Sequence, residues 1–414
     1  MLRRRPVIGK LRPGYVYAAR HYKEVLPAQG FAYNGHPQPL RTPLSDSPGN
    51  IVTPDLTFAI PGNLQTLTGG YGYDRRLLAG LQALGVTVAH MPLSGTFPAP
   101  DAAALVDAES RFAALPDGAI VVADGLAFGV MDDIAQRHAA RLQIIALCHH
   151  PLALEAGLST EQAQRLQLSE QRALHAARAV LVTSTPTAHL LTRQFSISES
   201  KITVALPGTD RQRFAACAGN PPVLLTVATL TPRKAHDVLI EALAQISELP
   251  WSARFVGGME FDPTWASTLR EKVNAHGLEQ RILFLGSMAD LSPAYDGADL
   301  FVLPSLFEGY GMAFAEALAH GLPVVAARAG AVPDVVPESA GILVPPGDAQ
   351  ALAEALRRLL TEPALRQSLQ LGAQQAAARL PTWTDTARIL ATLINRIRTA
   401  SQLSSQEQSS QEQE

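Results

Sequence analysis

Two acids, Glu308 and Glu316, stand eight residues apart in the stretch Pro304-Ser305-Leu306-Phe307-Glu308-Gly309-Tyr310-Gly311-Met312-Ala313-Phe314-Ala315-Glu316-Ala317. The stretch follows a strand-like apolar run and opens a helix-like one. On one helix the two carboxylates would lie about 12 Å apart at 1.5 Å per residue. That separation suits two polar groups gripping opposite ends of an elongated ligand. Gly309 and Gly311 allow a ligand close to the backbone. The free N–H groups of a helix start favour a phosphate or sugar oxygen. Two surface glutamates beside a loop are the plain alternative.

A second polar group is Thr229-Leu230-Thr231-Pro232-Arg233-Lys234-Ala235-His236. Pro232 fits a first helical turn, and Arg233 and Lys234 then begin the helix. Cations at that end oppose the helix dipole, which points to an anionic partner. A third is the glycine run Thr68-Gly69-Gly70-Tyr71-Gly72-Tyr73, expected as a loop between strand and helix. It is not a dinucleotide fingerprint: Arg75 stands where the third glycine belongs, and no acid lies near residue 92. A P-loop is absent too. The fourth is Cys148-His149-His150-Pro151 after a buried-strand run. Adjacent strand residues face opposite ways, so at most one of the two histidines easily faces a cleft. Asp124 reads as a turn acid or a cleft residue, and Asp210 as linker structure. No further Cys or His cluster supports a zinc pair there.

The stretch 304–317, with His320-Gly321-Leu322-Pro323-Val324-Val325-Ala326 after it, strongly resembles glycosyltransferase family 4. These are the group 1, retaining enzymes of the GT-B fold, whose signature is a Glu, seven residues and a Glu in this setting. The resemblance covers roughly residues 55–397 and is strongest over 223–350. It implies that Glu316 holds the ribose hydroxyls of a nucleotide and Glu308 the hydroxyls of the donor sugar. The backbone of Gly309, Tyr310, Gly311 and Met312 would contact sugar and phosphate. Lys234 matches the family lysine that grips the donor diphosphate. Thr229 stands where the family usually has arginine and Ala235 where it has glycine, so Arg233 is the candidate for the missing charge. Gly69 and Gly70 match the family's glycine loop over the donor. His149 matches a cleft histidine near the reacting carbon. His150, Glu155 and Tyr71 are assigned to the acceptor side. The implied activity moves a sugar from a nucleotide-sugar, UDP- or GDP-linked, to an acceptor hydroxyl. The acceptor is a sugar, a small molecule or a lipid-linked group. No metal and no other cofactor is expected, because Asp-x-Asp occurs nowhere in the chain. Two alternatives stay open: a catalytically inactive GT-B homologue serving as a binding partner, and a nucleotide-sugar epimerase of similar architecture.

The elements that must carry these residues alternate strand and helix. Apolar runs at 56–61, 86–91, 119–123, 144–148, 180–183 and 202–206 read as strands buried on both faces. Ser159 with Gln162 reads as a capping box before a helix through about Ala177. After Pro207-Gly208 and Gly219-Asn220-Pro221-Pro222 the pattern restarts, with strands at 223–228, 253–256, 282–285, 300–303, 322–326 and 341–344. The expected fold is α/β: two doubly wound, Rossmann-like domains facing a cleft. The expected divisions are a loose arm at 1–54 and an acceptor domain at 55–208. A linker at 209–222 and a donor domain at 223–380 follow. A helix at 381–398 then packs back on the first domain, with Trp383 as its anchor, and 399–414 is a disordered tail.

The chain has 414 residues, 34 Lys plus Arg against 37 Asp plus Glu, 47% apolar and 17% charged. The net charge of −3 argues against nucleic-acid binding. Two cysteines exclude a disulfide scaffold and fit a cytoplasmic protein. No apolar run reaches the ~18 residues of a membrane span. The basic residues within 3–23 leave peripheral contact with an anionic membrane face open.

Overall fold

The computed structural model describes the backbone of residues 54–411 and the side chains of 54–403. The expected arm at 1–54, apart from Pro54, lies outside the described residues, as does the basic segment 3–23.

Among the described residues twelve strands form two sheets. The first holds β1 (Leu56–Pro61), β2 (Val88–Leu93), β3 (Ile120–Asp124), β4 (Gln143–Cys148), β5 (Ala179–Val182) and β6 (Ile202–Val204). The second holds β7 (Val223–Val227), β8 (Ser252–Val256), β9 (Ile282–Gly286), β10 (Leu300–Leu303), β11 (Val324–Ala327) and β12 (Gly341–Val344). Their orders are β2-β1-β3-β4-β5-β6 and β12-β11-β10-β7-β8-β9, and the pairings are parallel. Each sheet carries a core on both faces. In β1, Ala59 faces one core while Phe58 and Ile60 face the other. In β10, Leu300 and Val302 oppose Phe301 and Leu303 in the same way. This accounts for the uninterrupted apolar runs.

Strand order reverses between β1 and β3 in one sheet and between β7 and β10 in the other. Ligands of such sheets bind beyond the strand carboxyl ends at these reversals. The four polar motifs all leave strand ends at or beside them.

Several expectations are corrected. The glycine run is not a loop: the helix Gly69–Ala83 begins at its first glycine, after Thr68. Arg233 and Lys234 do not begin a helix. Pro232–Lys234 form a separate 3-10 turn, and Ala235 takes a left-handed φ of 53° before the helix His236–Ala244 starts. Glu308 and Glu316 do not share a helix, since the helix runs Met312–Ala319 and Glu308 precedes it in a loop. The tail is not disordered through 411. One helix spans Trp383–Gln411. Gln, Glu and Ser extend a helix at little cost once a packed segment has nucleated it. The second strand starts at Val88 rather than Val86 because Val86 N–H still bonds back to Leu81 O, closing the preceding helix. The Ser159–Gln162 capping box forms, with Gln162 N–H on Ser159 Oγ at 3.2 Å and Ser159 N–H on Gln162 Oε1 at 2.8 Å.

Residues 205–222 contain no helix or strand. The closing helix returns to the first sheet, where Ala387, Leu390, Leu393, Ile394 and Ile397 complete its second core. Glycines allow the crossing. A Cβ on Gly80 would lie 2.8 Å from Ala387 Cβ, and one on Gly208 would lie 2.1 Å from the Trp383 nitrogen. Trp383 packs edge-on against Tyr73 at 5.8 Å. Among the described residues no helix is long and apolar enough to cross a membrane.

Candidate functional site

The turn after β7 and the loop after β10 are neighbouring strand ends, and the backbone ties them. Leu306 N–H donates to Arg233 O at 2.8 Å. Within that frame Lys234 Nζ lies 2.7 Å from Glu308 Oε1, and Arg233 Nη1 lies 3.7 Å from Glu308 Oε2 and 3.0 Å from Phe307 O. Arg233 Nε reaches across to the first domain, donating to Glu155 Oε1 at 2.9 Å. Glu308 is buried. Burial works to raise its pKa, but Lys234 and Arg233 outweigh it and hold the carboxyl below the ordinary range. Lys234 is also lowered, because burial and the neighbouring Arg233 outweigh its attraction to Glu308. The loop is clamped from below. Ala331 N–H donates to Glu308 O at 3.0 Å, and a Cβ on Gly330 would lie 2.1 Å from that oxygen. The left-handed Ala235 explains why a glycine is favoured there: a residue with a Cβ costs about 1–2 kcal/mol in that conformation.

Glu316 sits on the helix Met312–Ala319, and its Oε2 accepts from the Tyr295 hydroxyl at 2.8 Å. Burial raises its pKa, opposed by Tyr295 and the charge of Arg76. His320 stacks on Tyr295 at 5.0 Å, with Nδ1 3.0 Å from Asp296 Oδ1. Gly311, at φ 93°, makes the turn into this helix. Tyr310 is buried in the core, so only its backbone faces the loop surface. Met312 touches the cores of both sheets, and its Cε would lie 3.9 Å from a Cβ on Gly72.

On the first domain, His149 follows β4. Its Nε2 lies 3.2 Å from Asp74 Oδ1 and 3.3 Å from Asp124 Oδ2. The polar atoms of the three lie within 4.8 Å of one another, a spacing a metal ion could bridge. Burial alone would depress the His149 pKa; the two carboxylates outweigh it and push it up to about 10. Asp124 also caps the turn after β3, accepting from Leu126 N–H at 2.8 Å, so it is both turn acid and cluster member. Gly70 sits against the His149 ring edge, where a Cβ would lie 3.8 Å from Cδ2. Gly69 has open space where a Cβ would stand. Gly309 closes on His149 from the second domain: a Cβ there would lie 2.2 Å from His149 O. His150 takes the other direction. Its ring lies 4.9 Å from Phe307, and its Nε2 is 3.9 Å from Glu155 Oε2. Burial, then Arg233, push its pKa down to about 4, so it is neutral. Tyr71 spends its hydroxyl on Pro61 O at 2.8 Å. Asp210 pairs with Arg76 beside the linker.

The structure thus gathers Glu308, Lys234, Arg233, Glu155 and His150 into one cross-cleft network. His149 stands beside it with Gly70 and Gly309, and Glu316 lies one helix turn beyond Met312. Sequence reading missed Asp74, Tyr295 and Arg76. Asp74 carried one signal: it lies three residues before Leu77 and seven before Leu81, on the buried stripe of its helix. An acid in an apolar stripe asks for a partner.

The family model "Glycosyl transferases group 1" matches residues 221–362. The chain is 28% identical over 256 residues to D-inositol 3-phosphate glycosyltransferase of Jonesia denitrificans, covering 56% of this chain and 60% of that protein. It is 32% identical over 248 residues to the enzyme of that name from Saccharomonospora viridis, covering 55% and 57%. The chain therefore spans about three fifths of the length of the curated relatives it matches. Among solved structures, sucrose-phosphate synthase from Thermosynechococcus elongatus superposes with a TM-score of 0.71 at 23% identity, over 83% of this chain and 99% of that one. Anabaena HepE, solved with UDP and glucose, gives 0.66 at 19% identity, over 83% and 100%. The two-sheet frame is theirs, the GT-B fold.

Proposed function

We propose that this chain, whose residues 221–362 match the model of group 1 glycosyltransferases and whose frame is GT-B, transfers a sugar from a nucleotide-sugar to an acceptor hydroxyl. The observation that carries the reading is the pairing of two cations with Glu308 at the β7/β10 reversal, one helix from a half-buried carboxylate held by Tyr295. The domains divide at 209–222, and 381–398 crosses back to the first.

Each group has a task in that reading. Glu316 accepts from ribose hydroxyls, its second oxygen being held by Tyr295. Lys234 and Arg233 stabilise the departing diphosphate, together with the N–H groups at the start of the Met312–Ala319 helix. A diphosphate on Arg233 would replace the Glu155 carboxylate. Glu308 orients sugar hydroxyls. His150, Glu155 and Tyr71 line the acceptor side. Cations already placed for the leaving group supply what a metal would otherwise supply, so the reaction runs without one. Retention at the anomeric carbon follows from the family resemblance. UDP is the favoured nucleotide, because HepE was solved with UDP and glucose. The acceptor is a sugar or small-molecule hydroxyl or a lipid-linked one.

The test is a thermal-shift screen with UDP, GDP, ADP and their sugars, with and without EDTA. A ligand of the native state raises the midpoint in proportion to RT ln(1 + [L]/Kd). A UDP shift indifferent to EDTA and lost in Glu316→Gln supports the reading. No shift with any nucleotide overturns it. The anomeric configuration of the product, read by NMR, tests retention.

A further inference from the structure

Asp74, Asp124 and His149 form a polar cluster at the junction of the two domains, and the functional reading above gives the two acids no task. Asp74 comes from the helix Gly69–Ala83, Asp124 from the end of β3 and His149 from the end of β4. Asp74 is fully buried and Asp124 is 2% exposed. Oδ2 of Asp74 has no hydrogen-bond partner. Both acids turn an oxygen to the same ring nitrogen, Nε2, at 3.2 and 3.3 Å.

The groups facing the cluster are few among the described residues. Tyr73 meets the imidazole edge-on at 5.1 Å. Tyr71 and Arg75 sense the carboxylate charges from the same helix. The Arg75 guanidinium is spent on the carbonyls of Leu64 and Thr66. Cys148 precedes the histidine and is buried. Gly309 meets the His149 carbonyl from the second domain. Two carboxylates shut away from water need a cation against them, and the imidazole is the group in contact with both.

We propose that Asp74 and Asp124 are positioning residues that lock His149 as an imidazolium, with Nε2–H turned inward to both acids. His149 therefore presents the cleft with a fixed positive charge and a donor at Nδ1. It does not act as a general base. An unprotonated Nε2 would set its lone pair against two carboxylate oxygens, and a neutral ring protonated at Nε2 alone would leave the buried acids without a countercharge. The raised His149 pKa, about 10, has the same cause. Asp74 is pushed up to about 7 by burial and then by Asp124, with His149 opposing, so even beside the imidazolium the second acid gives up its proton only toward pH 7. The charge claim stands on the cluster alone. Only its use, as a donor toward an oxygen-rich ligand, rests on the nucleotide-sugar reading.

The experiment labels the histidine Cε1 and ring nitrogens of the full-length protein and follows their NMR shifts from pH 5.5 to 9. The chain has 11 histidines, and the His149 signal is assigned by its loss in His149→Gln. The expected wild-type result is a His149 signal at the imidazolium position across the range, with both ring nitrogens protonated. In Asp124→Asn and in Asp74→Asn the midpoint should fall by at least one pH unit. A wild-type His149 that titrates near 6.5 overturns the proposal, and this arm needs no variant to fold. Asn variants that fold and leave the His149 titration unchanged also overturn it. Added zinc that shifts the His149 signal at equimolar concentration overturns it as well, since the acids would then be ligands. UDP-glucose turnover against pH reads the consequence: flat for the wild type between pH 6 and 8.5, and acquiring a limb in Asp124→Asn. If UDP-glucose is not turned over, the nucleotide-sugar reading suffers while the NMR arm still decides the charge.

Discussion

Replacing Lys234 by methionine separates what the Lys234–Glu308 pair does for the fold from what it does for chemistry. The charges are 2.7 Å apart, and both side chains are mostly buried, at 15% and 7% exposure. At an effective permittivity near 20, unit charges at that distance attract by roughly 6 kcal/mol, much of which offsets desolvation. Removing one member of a buried pair costs about 3–5 kcal/mol, because the other charge is stranded. Arg233 remains 3.7 Å from Glu308, so the lower end, about 3 kcal/mol, is expected. For a domain of this size that is about 6–12 °C in Tm. The pH profile must change with it. Glu308 is held below its ordinary value, so its stabilisation is present above about pH 4.5 and is lost as pH falls through the lowered pKa. Lys234→Met should flatten that acid limb. The double variant Lys234→Met/Glu308→Gln removes both charges and should recover most of the Tm. Turnover behaves otherwise. Loss of a preorganised cation at a leaving group costs about 10²-fold or more, and the double variant should not restore it. The assays are thermal denaturation from about pH 2.5 to 8 and UDP release from UDP-glucose. A single variant within 1 °C of wild type, or a double variant no more stable than the single, refutes the stranded-charge argument.

Other perturbations follow from the same geometry. Glu316→Gln should weaken UDP binding by ~10–100-fold, the equivalent of a hydrogen bond to a charged group; unchanged affinity by calorimetry removes the ribose assignment. Glu155→Gln frees Arg233 from a pair whose acid is 45% exposed, so the gain is modest: UDP should bind up to ~5-fold tighter, more so at low salt, and weaker binding would contradict the competition. Glu170 is buried, and its pKa is raised to about 7 by that burial, with the Leu152 and Ala153 N–H groups opposing. The native state then holds an extra proton between about pH 4.5 and 7, so stability falls as pH rises through that window, by about 3 kcal/mol; Glu170→Gln should be the flatter of the two in melts at pH 5 and 8. Gly208→Ala places a Cβ 2.1 Å from the Trp383 nitrogen and should destabilise by about 1–3 kcal/mol, read as earlier unfolding of the closing helix by hydrogen exchange.

Much of the scaffold is legible in the chain because its causes are local. Apolar runs buried on both faces mark the parallel strands, and Ser159 with Gln162 marks a helix start that forms as written. Glycine at 321, left-handed at φ 71°, ends the helix expected before it. The Lys234 and Glu308 motifs are readable through their resemblance to glycosyltransferase family 4, and they meet because each leaves the carboxyl end of its own strand and β7 and β10 are neighbours.

What the chain alone leaves open depends on how its elements are brought together. Asp74 acquires meaning when a helix, a strand end and a second strand end converge from positions 74, 124 and 149. Glu155 meets Arg233 across 78 residues, and Tyr295 meets Glu316 from a different helix. The polar tail continues as helix because a packed segment precedes it, a cooperative effect that composition does not carry. Local sequence determines periodicity, caps and strand ends, since each is decided within a few residues. Which charges are buried together, and hence which are forced to pair, is decided by strand order and the docking of two domains, where burial makes an unpartnered charge costly.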